Sequence, residues 1–162
     1  VMSSSRRLND GMGAYVASQA IKLMNKKGVL VKDSKILILG ITFKENCPDI
    51  RNTKIVDIYH TLEEYTNNIT VYDPWADATH VMHEYNIQIS NQPVDELIGQ
   101  FDAVILGVAH DDFKNLKLDL EKKMKNCSSI FIVGHNGPDF DSFGASIGLY
   151  SIAKYFCKKA FF

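Results

Sequence analysis

Short apolar runs alternate with amphipathic stretches along most of the chain. Ile36–Leu39, Ile69–Tyr72, Ile87–Ile89, Ala103–Val108 and Ile130–Val133 are compact and rich in β-branched residues. Runs of this kind read as strands buried on both faces. The intervening stretches, 52–65, 77–85, 93–99 and 117–125, follow helical spacing. Upstream, Met12, Val16, Ala20 and Leu23 recur at steps of four and three, with Gly28 placed to end that helix. The pattern predicts an α/β fold, a Rossmann-like three-layer sandwich with a mainly parallel sheet, preceded by an N-terminal helix. Right-handed crossovers bring ligand contacts to the strand carboxyl ends, where Gly40, Asp73 and His110 fall.

Composition narrows the classes. The 162 residues suffice for one well-buried domain, or a domain with a fragment, and 46% hydrophobic content fits a globular chain. Eighteen basic and nineteen acidic residues nearly cancel, so a nucleic-acid partner is not expected and a phosphate would be held by local cations. Cys47, Cys127 and Cys157 lie far apart, which suits neither a disulfide framework nor a close-spaced zinc motif, and fits a reducing cytoplasm. No run of about 18 apolar residues exists for a membrane span. A soluble, cytoplasmic protein is expected.

The chemistry concentrates between the first strand and the next helix, at Gly40-Ile41-Thr42-Phe43-Lys44-Glu45-Asn46-Cys47-Pro48-Asp49-Ile50-Arg51. A strand, a glycine, a polar loop and a helix start are how α/β proteins build anion sites from loop N–H groups and a helix dipole. Lys44 and Arg51 add two cations, although an ordinary βα connection with two solvated cations would look similar. Asp49 either orients Arg51 or caps the following helix, and capping fits at least as well. Asp73 stands where an acid would bind a ribose, yet Asp73-Pro74 reads equally well as a turn. His110-Asp111-Asp112 is taken as a helix-capping strand exit, because adjacent residues converge poorly on one ion. The second glycine of a dinucleotide loop is absent after the first strand.

Gly40–Lys44 with Pro48–Arg51 resembles the G-[LI]-[AT]-F-K…D-x-R signature of the UDP-glucose/GDP-mannose dehydrogenase family, at the start of its C-terminal domain. Three further segments agree in order: Arg6–Met12, Val71–Asp77 and Val108–Phe113. The wording is nearest the branch acting on UDP-N-acetyl-hexosamines. The resemblance implies that Phe43 and Lys44 contact a UDP-sugar, and that Arg51 reaches the NAD diphosphate across a domain cleft. It implies a two-step oxidation of a sugar C6 hydroxymethyl to a carboxylate, using NAD and a cysteine thiohemiacetal. The family's G-G-x-C nucleophile motif and dinucleotide loop lie outside this chain, so Cys47 reads as a bystander and the chain alone should be inactive. Residues 1–28 would end a central helix used for homodimerisation, and 29–127 would form the UDP-sugar-binding domain.

Beyond Asn126 the wording changes. Val133 stands where the family resemblance calls for an acid, and His135-Asn136-Gly137-Pro138-Asp139-Phe140-Asp141-Ser142 resembles the first motif of DHH-type phosphoesterases. In that family a histidine and two aspartates ligate manganese, which implies His135, Asp139 and Asp141 as metal ligands. Three ligands make half a centre, so the preferred reading of residues 128–162 is structural: a strand completing the sheet and a closing helix over 142–159. A manganese phosphoesterase fragment and a noncatalytic nucleotide-binding module remain the rival functions.

Overall fold

The computed structural model describes residues 2–92, 100–115, 129–132 and 160–161, with side chains at 11–92 and 100–113. Within these, five strands form one parallel sheet: β1 (Ile36–Leu39), β2 (Ile69–Tyr72), β3 (Ala103–Leu106), β4 (Ser129–Ile132) and β5 (Ala160–Phe161). Their order across the sheet is β2-β1-β3-β4-β5. All four side chains of β1 and of β3 are buried. Because successive side chains on a strand point to opposite faces, both faces are covered there. The expected three-layer α/β arrangement is therefore present.

Among the described residues four α-helices accompany the sheet: α1 (Met2–Lys26), α2 (Ile55–Glu63), α3 (Ala78–Tyr85) and α4 (Asp111–Asn115). Gly28, at φ 77°, ends α1 as its spacing suggests. The Val29 N–H donates to Met24 O and the Gly28 N–H to Asn25 O, the paired bonds of a glycine-terminated helix. Helix α3 starts where Asp77 Oδ1 accepts the His80 N–H at 2.7 Å.

Three expectations need correction. The stripe on α1 is shifted in part: Ala20 is buried and Val16 and Leu23 pack half-buried against the core, but Met12 is exposed and the fully buried positions are Gly13, Ala17, Ala20, Ile21 and Met24. A Cβ on Gly13 would stand 2.5 Å from Asp57 Cβ and 3.0 Å from Lys54 O, so at this point α1 approaches α2 closely enough to require a glycine. The segment Ile87–Ile89 buries its two isoleucines but pairs at a single bridge, Val71 with Ile89, and is not a strand. The fourth strand begins one residue before the expected Ile130 and does not close the sheet, because Ala160–Phe161 pairs along its outer edge. That pairing satisfies backbone groups an edge strand leaves open. The helices expected at 93–99, 117–125 and 142–159 lie outside the described residues.

Candidate functional site at the strand carboxyl edge

The chain runs from β1 to β2 on one side and returns past β1 to β3 on the other. In open parallel sheets such a reversal places the ligand crevice outside the carboxyl ends of the two diverging strands. Here those are β1 and β3. Gly40 turns the chain out of β1 at φ 86°, and a Cβ there would meet Val108 Cβ at 2.6 Å and Val108 N at 2.7 Å. Only glycine satisfies both conditions.

Asp73, at the exit of β2, is wholly buried in its side chain. Its Oδ2 accepts the N–H groups of Ile41 at 2.6 Å and Thr42 at 3.0 Å. Its Oδ1 accepts those of Trp75 at 2.8 Å and Ala76 at 3.1 Å. Burial pushes this carboxyl up, but the hydrogen bond from His110 and the N–H groups of Ile41 and Trp75 outweigh it, and the net direction is down. Asp73 is thus a turn-former that offers no oxygen to a ribose. The N–H groups expected to receive an external anion at the start of the loop already receive this carboxylate.

His110, at the exit of β3, is fully buried. Its Nδ1 accepts the Asn46 N–H at 2.9 Å; a backbone amide can only donate, so the ring proton sits on Nε2. Nε2 lies 3.1 Å from Asp73 Oδ2 and 3.1 Å from Thr42 Oγ1. The Thr42 hydroxyl donates to Lys44 O at 3.2 Å, which leaves its lone pairs for the ring. Asn46, at φ 53°, is bracketed by Asp111: Asn46 Nδ2 donates to Asp111 Oδ2 at 2.7 Å, and the Asp111 N–H donates to Asn46 Oδ1 at 3.0 Å. Trp75 lies nearly parallel to the imidazole, centroids 6.2 Å apart, and its Nε1–H donates to Asp112 Oδ2 at 2.9 Å.

Between these anchors the loop turns outward. Phe43 is 37% exposed, and its N–H donates to Asp49 O at 2.7 Å, folding the loop back on itself. Lys44 is exposed, and among the described residues its ammonium is in no hydrogen bond or ion pair. Arg51 is 77% exposed; its Nε and Nη2 donate to the two oxygens of Asp49 at 2.9 and 2.8 Å. The bonds from Arg51 hold the Asp49 carboxyl well below the usual carboxylate range. Asp49 therefore orients Arg51 and does not cap α2, whose first N–H, on Ile55, goes to Thr53 Oγ1 at 3.3 Å. A guanidinium has a second donor edge, through Nη1, which this pairing leaves outward.

The structure thus brings Phe43, Lys44 and Arg51 onto one loop. Asp73 and His110, which the sequence places at strand exits but not as holders of the loop, and Asn46, which it does not single out, keep that loop in place. Among the described residues no three His, Cys, Asp or Glu side chains are grouped to hold a metal, and no helix is long and apolar enough to cross a membrane. His135, Asp139 and Asp141 lie outside the described residues. Cys47 is half-buried and in no disulfide.

Comparison with known proteins bears on this loop. The sequence pattern described as "UDP-glucose/GDP-mannose dehydrogenase family, UDP binding domain" matches residues 37–136, running past Asn126 and across β4. The chain is 48% identical over 124 residues to the UDP-N-acetyl-D-glucosamine 6-dehydrogenase of Pseudomonas aeruginosa, covering 76% of this chain and 29% of that protein. It is 49% identical over 117 residues to the enzyme of the same name from Salmonella typhi, covering 72% and 27%. It therefore spans under a third of the length of these relatives. The solved NDP-N-acetyl-D-galactosaminuronic acid dehydrogenase from Methanosarcina mazei Go1 shares the fold, with a TM-score of 0.66 at 24% identity over 87% of this chain and 29% of that one.

Proposed function

Because the chain belongs to the UDP-glucose/GDP-mannose dehydrogenase family, as its UDP-binding domain, we propose that it is the UDP-sugar-binding part of an NAD-dependent nucleotide-sugar 6-dehydrogenase. The relatives named above point to the UDP-N-acetylglucosamine branch, whose product would serve surface polysaccharide synthesis in the cytoplasm. On this reading residues 1–28 end a central helix that pairs two copies, 29–127 hold the UDP-sugar, and 128–162 follow as a strand-loop-helix segment.

One observation carries the reading: an exposed aromatic and an exposed ammonium, Phe43 and Lys44, lie on a loop pinned at both ends beside the β1/β3 reversal. Lys44 supplies a mobile point charge for a phosphate or a developing oxyanion, and Phe43 supplies apolar contact. Arg51, already aligned by Asp49, can present its outer edge to a diphosphate with two parallel bonds. NAD, when bound, accepts hydride from the sugar C6. This chain's own β1 turn does not fit the dinucleotide, since Asp73 fills the N–H groups of Ile41 and Thr42 that a pyrophosphate would need. Only Arg51 is assigned to NAD, and the dinucleotide is held chiefly by a different domain.

Calorimetry with UDP tests the reading. The chain should bind it, and Lys44→Ala should weaken binding by about tenfold or more, the scale of one hydrogen bond to a charged group. Heat no larger than that of the buffer blank would refute it. With NAD and a UDP-sugar together, the chain by itself should form no NADH, because nucleophile and dinucleotide loop lie elsewhere; absorbance at the NADH band checks this.

A further inference from the structure

His110 is fully buried, and three strand exits meet on its ring. Nδ1 holds the backbone of Asn46, after β1; Nε2 faces Thr42 on the same loop and Asp73 after β2; and the residue itself leaves β3. Thr42 and Asn46 are the two points between which Phe43, Lys44 and Glu45 lie, the first two exposed and Glu45 half-buried. The carboxylate that orients Nε2–H also takes the N–H groups of Ile41 and Thr42. Ring and carboxylate thus act together on one three-residue span.

We propose that His110, held in its Nε2–H tautomer by Asp73, is a positioning residue: it fixes both ends of the Phe43–Glu45 span and so sets the affinity of that span for a nucleoside diphosphate. This rests on the reading that Phe43 and Lys44 meet the ligand. The physical reason is preorganisation. A loop fixed before binding loses less conformational freedom when the diphosphate arrives, and its ammonium is already placed. The tautomer matters because a proton on Nδ1 would set two donors against each other at Asn46 and release that end of the span.

A double-mutant cycle on the 162-residue chain, read by UDP calorimetry, tests the proposal. His110→Phe keeps a flat ring beside Trp75 and removes both nitrogens. It should weaken UDP binding about tenfold with the fold intact by circular dichroism. Lys44→Ala should then cost less than about threefold in that background, since the amine is no longer placed by the loop. An equal cost of Lys44→Ala in both backgrounds, or unchanged UDP affinity in folded His110→Phe, overturns it. Should that variant not fold, nitrogen NMR of the unaltered chain decides. A proton on Nε2 with a protected Asn46 amide supports the clamp, and a proton on Nδ1 sinks it. Failure of the unaltered chain to bind UDP is a different result: it removes the functional reading and the affinity claim together.

Discussion

Four backbone N–H groups, those of Ile41, Thr42, Trp75 and Ala76, and the ring of His110 converge on the carboxylate of Asp73. Replacing it with alanine would leave buried donors without acceptors, at a cost of roughly 3 kcal/mol or more. The sign of its pH dependence follows from the direction of its shift. The folded carboxyl titrates below its ordinary value of 3.8, so its contribution is complete above that value and is lost as pH falls through the lowered one. Acid unfolding followed by Trp75, the sole tryptophan, should therefore show a shallower acid limb in Asp73→Asn than in the unaltered chain, together with lower stability at neutral pH. Retention of the full acid limb in Asp73→Asn would assign that limb to other carboxylates. The roles of Phe43, Lys44 and Arg51 are suggested by local wording. The turn that Asp73 makes with Trp75 and Ala76 is local too, but the grip of Asp73 and His110 on the loop is not, because the loop groups they bind lie 31 to 68 positions away.

Two glycines of α1 show how packing overrides sequence pattern at the scale of elements. Gly13 lies against α2, where an added Cβ would stand 2.5 Å from Asp57 Cβ, whereas nothing lies within 4 Å of one on Gly11. Gly11→Ala should raise stability by up to about 1 kcal/mol through helix propensity alone. Gly13→Leu should lower it by about 1–3 kcal/mol by forcing the helices apart, a fall of several degrees in Tm. Thermal melts of the two variants check both signs; a neutral Gly13→Leu would mean that α1 does not pack here. Apolar spacing selects Met12, Val16, Ala20 and Leu23; Ala20 is buried, but Met12, Val16 and Leu23 each stand one position before a fully buried residue, Gly13, Ala17 and Met24. The same limit applies at Ile87–Ile89, where alternating burial fits a strand but β2 meets it at only one bridge.

At the scale of the molecule, strand order makes the candidate site. With β1 between β2 and β3, the exits that carry Gly40, Asp73 and His110 lie side by side, and the loop is assembled across them. A ligand that binds only this arrangement stabilises the whole chain. UDP at about a hundred times its Kd should add about 2.7 kcal/mol, seen as a rise in Tm that shrinks in Lys44→Ala at the same concentration. An unchanged Tm at saturating UDP would separate this loop from nucleotide binding. The sequence by itself determined the α/β class, the first two strands, the glycine that ends α1 and the loop carrying the cations, because each is set by spacing within a few neighbouring residues. Tertiary structure decided which side of α1 is buried, that β5 flanks β4, and that Asp73 takes the loop's N–H groups while His110 fastens its ends. Those outcomes depend on contacts between residues far apart in the chain, which become neighbours only when parallel strands pair and bring their exits together.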